Sequence, residues 1–279
     1  MTDLVVRRLL VDLEAPFARR WCGGDAFRSA FFNALSMSFP AGEQFFIDAV
    51  RAGIAELPAE KSAALDDEVR GFIGQEATHR RIHDLYNGQL AKQGLLNTWE
   101  ARIVARQKRL EGADPRHAVG VTAATEHLTA IFAEHFLTQP QVIAGADPRL
   151  ATLWQWHSAE ENEHRSTAFE VYRALGGNEA WRRRWLRVVT LLFVVDLTRQ
   201  TLSNLKRDDG ALWRWSTWQG AGRFLLGREH GLLRFAVAPW RAYQRADFHP
   251  RQQGGVLGQD WLNANPRAWA AVGGASRLA

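Results

Sequence analysis

Six residues of this chain have the types and spacing of a two-metal carboxylate centre. They are Glu43, the pair in Glu76-Ala-Thr-His79, Glu126, and the pair in Glu161-Asn-Glu-His164. Residues three apart on a helix share one face within a turn, so each Glu-x-x-His can aim a carboxylate and an imidazole at one metal. Two such helices, alternating with two that carry one glutamate each, deliver four carboxylates and two imidazoles to the interior of a four-helix bundle. These donors suit iron, with manganese as the alternative and zinc less favoured, and four carboxylates neutralise two divalent ions. An isolated Glu-x-x-His is commonly a solvated face. Here, however, Glu43 precedes Phe45-Phe46, Glu76 follows Gly71-Phe72-Ile73, and Glu126 sits among Ala, Thr and Leu. Charges in such surroundings must be paired or metal-bound.

Further histidines share these faces. His157 precedes Glu161 by four, so His157, Glu161 and His164 form one stripe about 60° wide. It is either a third imidazole ligand or a histidine hydrogen-bonded just outside the metals. His83 follows His79 by four and reads as a second-sphere or substrate-facing residue. Asp48, Asp84, Glu134 and Glu163 are candidates to orient the imidazoles through their free N–H groups. His127 and His135 face the site or pack elsewhere. The chemistry is metal-centred, and no side chain is singled out as the catalytic group.

The elements that must position these residues read as helices throughout. Apolar residues recur at three- and four-residue spacing and strand-like alternation is absent, so the fold class is all-α. With the ligand pattern on four of the helices, a ferritin-like four-helix bundle with additional C-terminal helices is expected. Core helices are expected over 40–56 (after a helical stretch at 27–37), 60–86 with a stop at Asn87-Gly88, 115–137, and 148–175 with a stop at Gly176-Gly177. A shorter connecting helix is expected over 98–110. The segment GADPR occurs at 112–116 and again at 145–149. In each copy an aspartate can cap the helix and a proline takes its first position, which fixes two helix starts. Residues 1–178 read as the di-metal bundle and 179–279 as a helical extension packed on it. That extension has helices near 179–206 and 211–235 and a Gly-, Asn- and Gln-rich tail beyond His249.

No stretch approaches the roughly 20 apolar residues of a membrane span, and the N-terminal segment does not read as a signal peptide. The single cysteine, Cys22, reads as a packed residue and fits a reducing cytoplasm. Charge is uneven. Thirteen Arg and Lys face six Asp and Glu between Glu179 and Phe248, and eight of twelve tryptophans lie beyond residue 180. Basic residues beside Trp over 181–235 fit peripheral contact with the inner face of an anionic membrane. The alternative is an aromatic face packed on the bundle or on a second subunit in a homodimer. No nucleic-acid motif accompanies the basic residues, so nucleic acid is not an expected partner.

The stretches SFPAGEQFF, FIGQEATHRRIHDLYN, ATEHLTAIFAEHF and WHSAEENEHRSTAFEVY, with Phe248-His249-Pro250 near the end, resemble the bacterial family labelled predicted metal-dependent hydrolase, of the ferritin-like superfamily. The ligand pattern also resembles that of the di-iron aminobenzoate N-oxygenases, whose last element is His-x-x-x-Glu-x-x-His. That resemblance implies His157 as a seventh ligand. The first functional reading is an oxygenase that uses O2 and an electron donor to oxidise a small organic substrate held beside Phe31, Phe32, Phe45 or Phe46. The alternatives are hydrolysis by metal-activated water and iron handling without an organic substrate.

Overall fold

A computed structural model describes residues 4–273. Two long helices come first, α1 (Ala26–Ala55) and α2 (Ala59–Lys92), followed by the short α3 (Glu100–Gln107), then α4 (Pro115–Thr138), α5 (Pro148–His164) and α6 (Thr167–Ala174). α1 lies along α2, α4 along α5 and α6, and α1 against α4, while α2 reaches α5 and α6. The four sides close into a bundle. The all-α expectation holds, and the arrangement is compatible with a ferritin-like bundle. α7 (Glu179–Lys206) packs across α1 and α4. α8 (Trp215–Leu226), α9 (Leu232–Tyr243) and α10 (Leu257–Ala264) pack on α1, α4 and α5 respectively. No helix among the described residues is long and apolar enough to cross a membrane.

The repeated GADPR caps behave as expected. Asp114 accepts from the Arg116 amide at 2.9 Å and Asp147 from the Arg149 amide at 3.0 Å, with Pro115 and Pro148 opening α4 and α5. Four local expectations are corrected. Pro40 does not start a helix but lies inside α1. Proline has no N–H to offer the carbonyl four residues back. The Ser36 carbonyl accepts instead from the Asn87 side-chain amide at 2.9 Å, and Met37 from Asn97 at 2.8 Å. Because Asn87 is used in this way, Asn87-Gly88 does not end α2, which runs on to a left-handed Gly94 (φ +81°). The fourth core helix breaks after His164 into α5 and α6. There the Arg165 guanidinium turns out against the tail at Gly254, whose φ of +79° and missing side chain allow that approach. Finally, the tail is not merely irregular: it forms α10 and a strand β2 (Trp269–Ala271). β2 pairs antiparallel with an unexpected N-terminal strand β1 (Arg7–Leu9), Arg7 opposite Ala271.

Of the basic, Trp-rich segment, Arg182 is buried and bonded to the Tyr243 and Arg245 carbonyls, whereas Trp213 and Trp215 are exposed. Cys22 is buried, and burial pushes its thiol up to about 11, as befits a packed residue.

Candidate metal centre

The bundle gathers Glu43 from α1, Glu76 and His79 from α2, Glu126 from α4, and His157, Glu161 and His164 from α5, all essentially buried. His164 Nε2 lies 3.0 Å from Glu76, 3.4 Å from Glu126 and 3.6 Å from Glu161. His79 Nδ1 lies 3.5 Å from Glu161. His157 Nε2 lies 2.9 Å from Glu161 and 3.9 Å from Glu43. Potential ligand atoms of Glu43, Glu76 and His79 come within 4.8 Å of one another, as do those of Glu76, Glu161 and His164, and of His79, His157 and Glu161. Both carboxylate oxygens of Glu43, Glu76 and Glu126, together with His79 Nδ1 and His164 Nε2, have no hydrogen-bond partner. Buried polar atoms are ordinarily satisfied. So many orphaned acceptors converging on one point fit a pair of cations.

The far side of each imidazole fixes which nitrogen faces inward. His79 Nε2 donates to Glu160 at 2.9 Å, and Glu160 is held by Arg7 at 3.1 Å. His164 Nδ1 donates to the Gln75 side-chain carbonyl at 2.8 Å, and Gln75 in turn donates to Glu163 at 3.0 Å. For His157 the chain is longer. Ser36 donates to Asn87 (2.8 Å), so its hydroxyl oxygen accepts from His83 Nδ1 (2.9 Å), and His83 Nε2 accepts from His157 Nδ1 (2.7 Å). The lone pair of His157 Nε2 therefore faces the Glu161 oxygen at 2.9 Å, acceptor against acceptor. That arrangement calls for a cation between them. Pro40 within α1 thus bears on the site, since Asn87 both accepts from the Ser36 hydroxyl and satisfies the Ser36 carbonyl.

A family model described as "predicted metal-dependent hydrolase" matches residues 5–254. The chain belongs to this family. Neither a curated protein nor a solved structure matches it. The family's metal dependence agrees with the clustered His and Glu groups, which fit a di-metal site.

Sequence reasoning about this hydrolase-family chain missed the main orienting groups. Glu160, Gln75 and Arg7 do the work assigned to Asp48, Asp84, Glu134 and Glu163. Asp48 is exposed and accepts from Gln44, and Asp84 is exposed. Glu134 lies 3.6 Å from Arg165. Glu163 contributes only through Arg7 and Gln75. His83 Nε2 accepts from His157 Nδ1, and potential ligand atoms of Glu43, His83 and His157 also come within 4.8 Å of one another. His127 and His135 pack elsewhere, each donating Nε2–H to a backbone carbonyl, of Pro239 and His230. Phe45 and Phe46 line a cavity beside the site, whereas Phe31 and Phe32 belong to an aromatic core with Phe224.

Without metal, protons balance this cluster. Burial opposes charge on His79, but the nearby Glu160 and Glu161 carboxylates outweigh that and push it up to about 10. His164 is likewise raised well above its usual value, through Glu161, Glu126 and Glu76 against the effect of burial. Burial, then Glu161 and Glu76, push Glu126 up to about 8. A metal must displace these protons. Uptake of two divalent ions at pH 7 should therefore release about two protons or more, and affinity should rise with pH through the Glu126 range. Calorimetric titration in two buffers of different ionisation enthalpy measures this. Identical heats in the two buffers would contradict it.

Proposed function

We propose that this chain is a hydrolase whose two divalent ions are held by Glu43, Glu76, His79, Glu126, His157, Glu161 and His164. The observation that carries the reading is the set of three inward-facing imidazole nitrogens set by Glu160, Gln75 and His83 around carboxylate oxygens that have no other partner. Glu76 and Glu161 each approach more than one imidazole, so with His79, His157 and His164 they would hold the ions. Bound there, two divalent ions supply Lewis acidity and acidify a water for attack on a carbonyl. The protein's part is to hold the imidazoles neutral and aligned, to neutralise the ions with four carboxylates, and to keep bulk water out. Four carboxylates would offset the charge of two divalent ions, which lessens the long-range attraction for an anion and is compatible with a neutral ester, lactone or amide.

The family description supports hydrolysis over the O2-dependent oxidation first expected from the ligand pattern. The third imidazole and the apolar wall at Phe39 favour O2 activation as the second reading. The protein loaded with zinc, manganese or iron, incubated with a panel of esters, lactones and amides, distinguishes them. Hydrolysis by the redox-inert zinc form, with no oxygen uptake at an electrode, is expected. Turnover confined to the reduced iron form and matched by O2 consumption would replace hydrolysis with oxidation.

A further inference from the structure

A cavity of about 310 Å³ lies between α1, α3, α4 and α7, at the small end of ligand-sized pockets. It is placed against the metal centre. Gly42 and Phe46 on its wall flank Glu43 on α1, and Thr125 and Thr129 flank Glu126 on α4. Phe39, Thr129 and Phe193 also line a second, narrow pocket whose wall includes His157 and Glu161. Phe39 is common to both walls, its ring 4.6 Å from those of both His83 and His157.

The cavity wall is mostly apolar and most of its polar groups are committed, although the buried indole N–H of Trp185 has no hydrogen-bond partner. The hydroxyls of Ser38, Thr125 and Thr129 donate to carbonyls of their own helices, and the Gln107 amide donates to Ala41. Arg106 is paired with Asp196. Arg109, on the exposed rim, has no ion-pair partner among the described residues and is the one uncommitted charge. With two divalent ions bound, the four carboxylates would offset their charge and leave Arg109 as the longer-range attraction for an anion. We infer that this cavity is the substrate site, taking a small apolar chain or ring whose anionic end, a carboxylate, rests on Arg109 while its uncharged end reaches past Phe39 to the metals. The inference rests on the hydrolytic reading for what happens at that end, but not for binding.

Octanoate, octanol and succinate, titrated calorimetrically into zinc-loaded protein, test it. Octanoate and octanol should bind and succinate should not. Arg109→Gln should weaken octanoate about fivefold and leave octanol unchanged. A side chain at Gly42 meets only the Phe46 ring edge, 4.0 Å from its first carbon, before entering the cavity. Gly42→Leu should therefore weaken both ligands by more than about tenfold, with zinc content unchanged. Leu192→Trp, from the opposite wall, should do the same. Failure of octanoate to bind, or unaltered binding in both filled variants, overturns the proposal. Ester hydrolysis that persists without octanoate binding would sink this inference and spare the hydrolase reading. Octanoate binding in a protein that hydrolyses nothing would do the reverse.

Discussion

Replacing Glu43 by Met is expected to make the metal-free protein more stable and the metal-loaded protein less stable. Glu43 is 1% exposed and neither of its oxygens has a hydrogen-bond partner. Burial, and then Glu76, raise its pKa well above the carboxylate range. A group with a raised folded pKa favours folding only below its ordinary value, and its contribution is lost as pH rises toward the folded value. At neutral pH this glutamate therefore costs the metal-free fold. Exchange for an apolar side chain of similar volume should recover about 1–3 kcal/mol. The metal reverses the sign, because it binds the ionised form. Losing one carboxylate should lower metal affinity by about a hundredfold or more, so that about 3 kcal/mol of metal-dependent stabilisation disappears. Thermal unfolding with and without excess zinc reads both effects. A variant destabilised equally in both conditions would mark Glu43 as an ordinary packing residue.

The second large effect concerns Arg7, in the short strand β1. Its guanidinium is 4% exposed, bonds to Glu160 at 3.1 Å and Glu163 at 2.6 Å, and lies 4.9 Å from the centre of the Trp269 ring. Arg7→Met leaves Glu160, which is fully buried, with only His79 as partner. Breaking a buried pair from one side costs about 3–5 kcal/mol. The loss should not stop at stability. Glu160 holds His79 in the orientation that points Nδ1 inward, so metal affinity should fall by about 10–100-fold. Arg7→Lys keeps the charge but loses the two-armed contact and should recover only part of both losses. Combining Arg7→Met with Glu160→Gln should cost less than the two changes added, since no unpaired charge remains. Denaturant unfolding and zinc competition titrations measure these quantities. A change in Arg7→Met below about 0.5 kcal/mol would show that the contact carries little.

These two residues also show how far the sequence was legible. Glu43 and its partners follow from periodicity: three-residue spacing puts Glu and His on one face, and four helices in a bundle bring the faces together. The helix starts at Pro115 and Pro148 were legible because the Asp-Pro cap is local chemistry. Arg7 was not. Its role depends on β1 pairing with β2 from the far end of the chain, a contact that no local pattern announces. Its strand could have been suspected only from the run of apolar and β-branched residues around Arg7-Arg8. Glu160 and Gln75 each sit directly beside a predicted ligand. Which neighbour of a ligand turns to support an imidazole is set by the packing of α2 against α5, not by spacing. Pro40 misled for the same reason: the carbonyls it frees are met by Asn87 and Asn97 from elsewhere in the chain. The chemistry performed was less legible than the ligands. One donor set serves O2 activation and hydrolysis, and the family match, not the residues, favours the latter.

Anomalous diffraction from crystals of the zinc- or manganese-loaded protein tests the two-metal centre most directly. The expected result is two peaks enclosed by Glu43, Glu76, His79, Glu126, His157, Glu161 and His164, with His157 bound through Nε2 and His83 not bound. No metal at this cluster, or a single ion bound by fewer of these residues, would contradict the account.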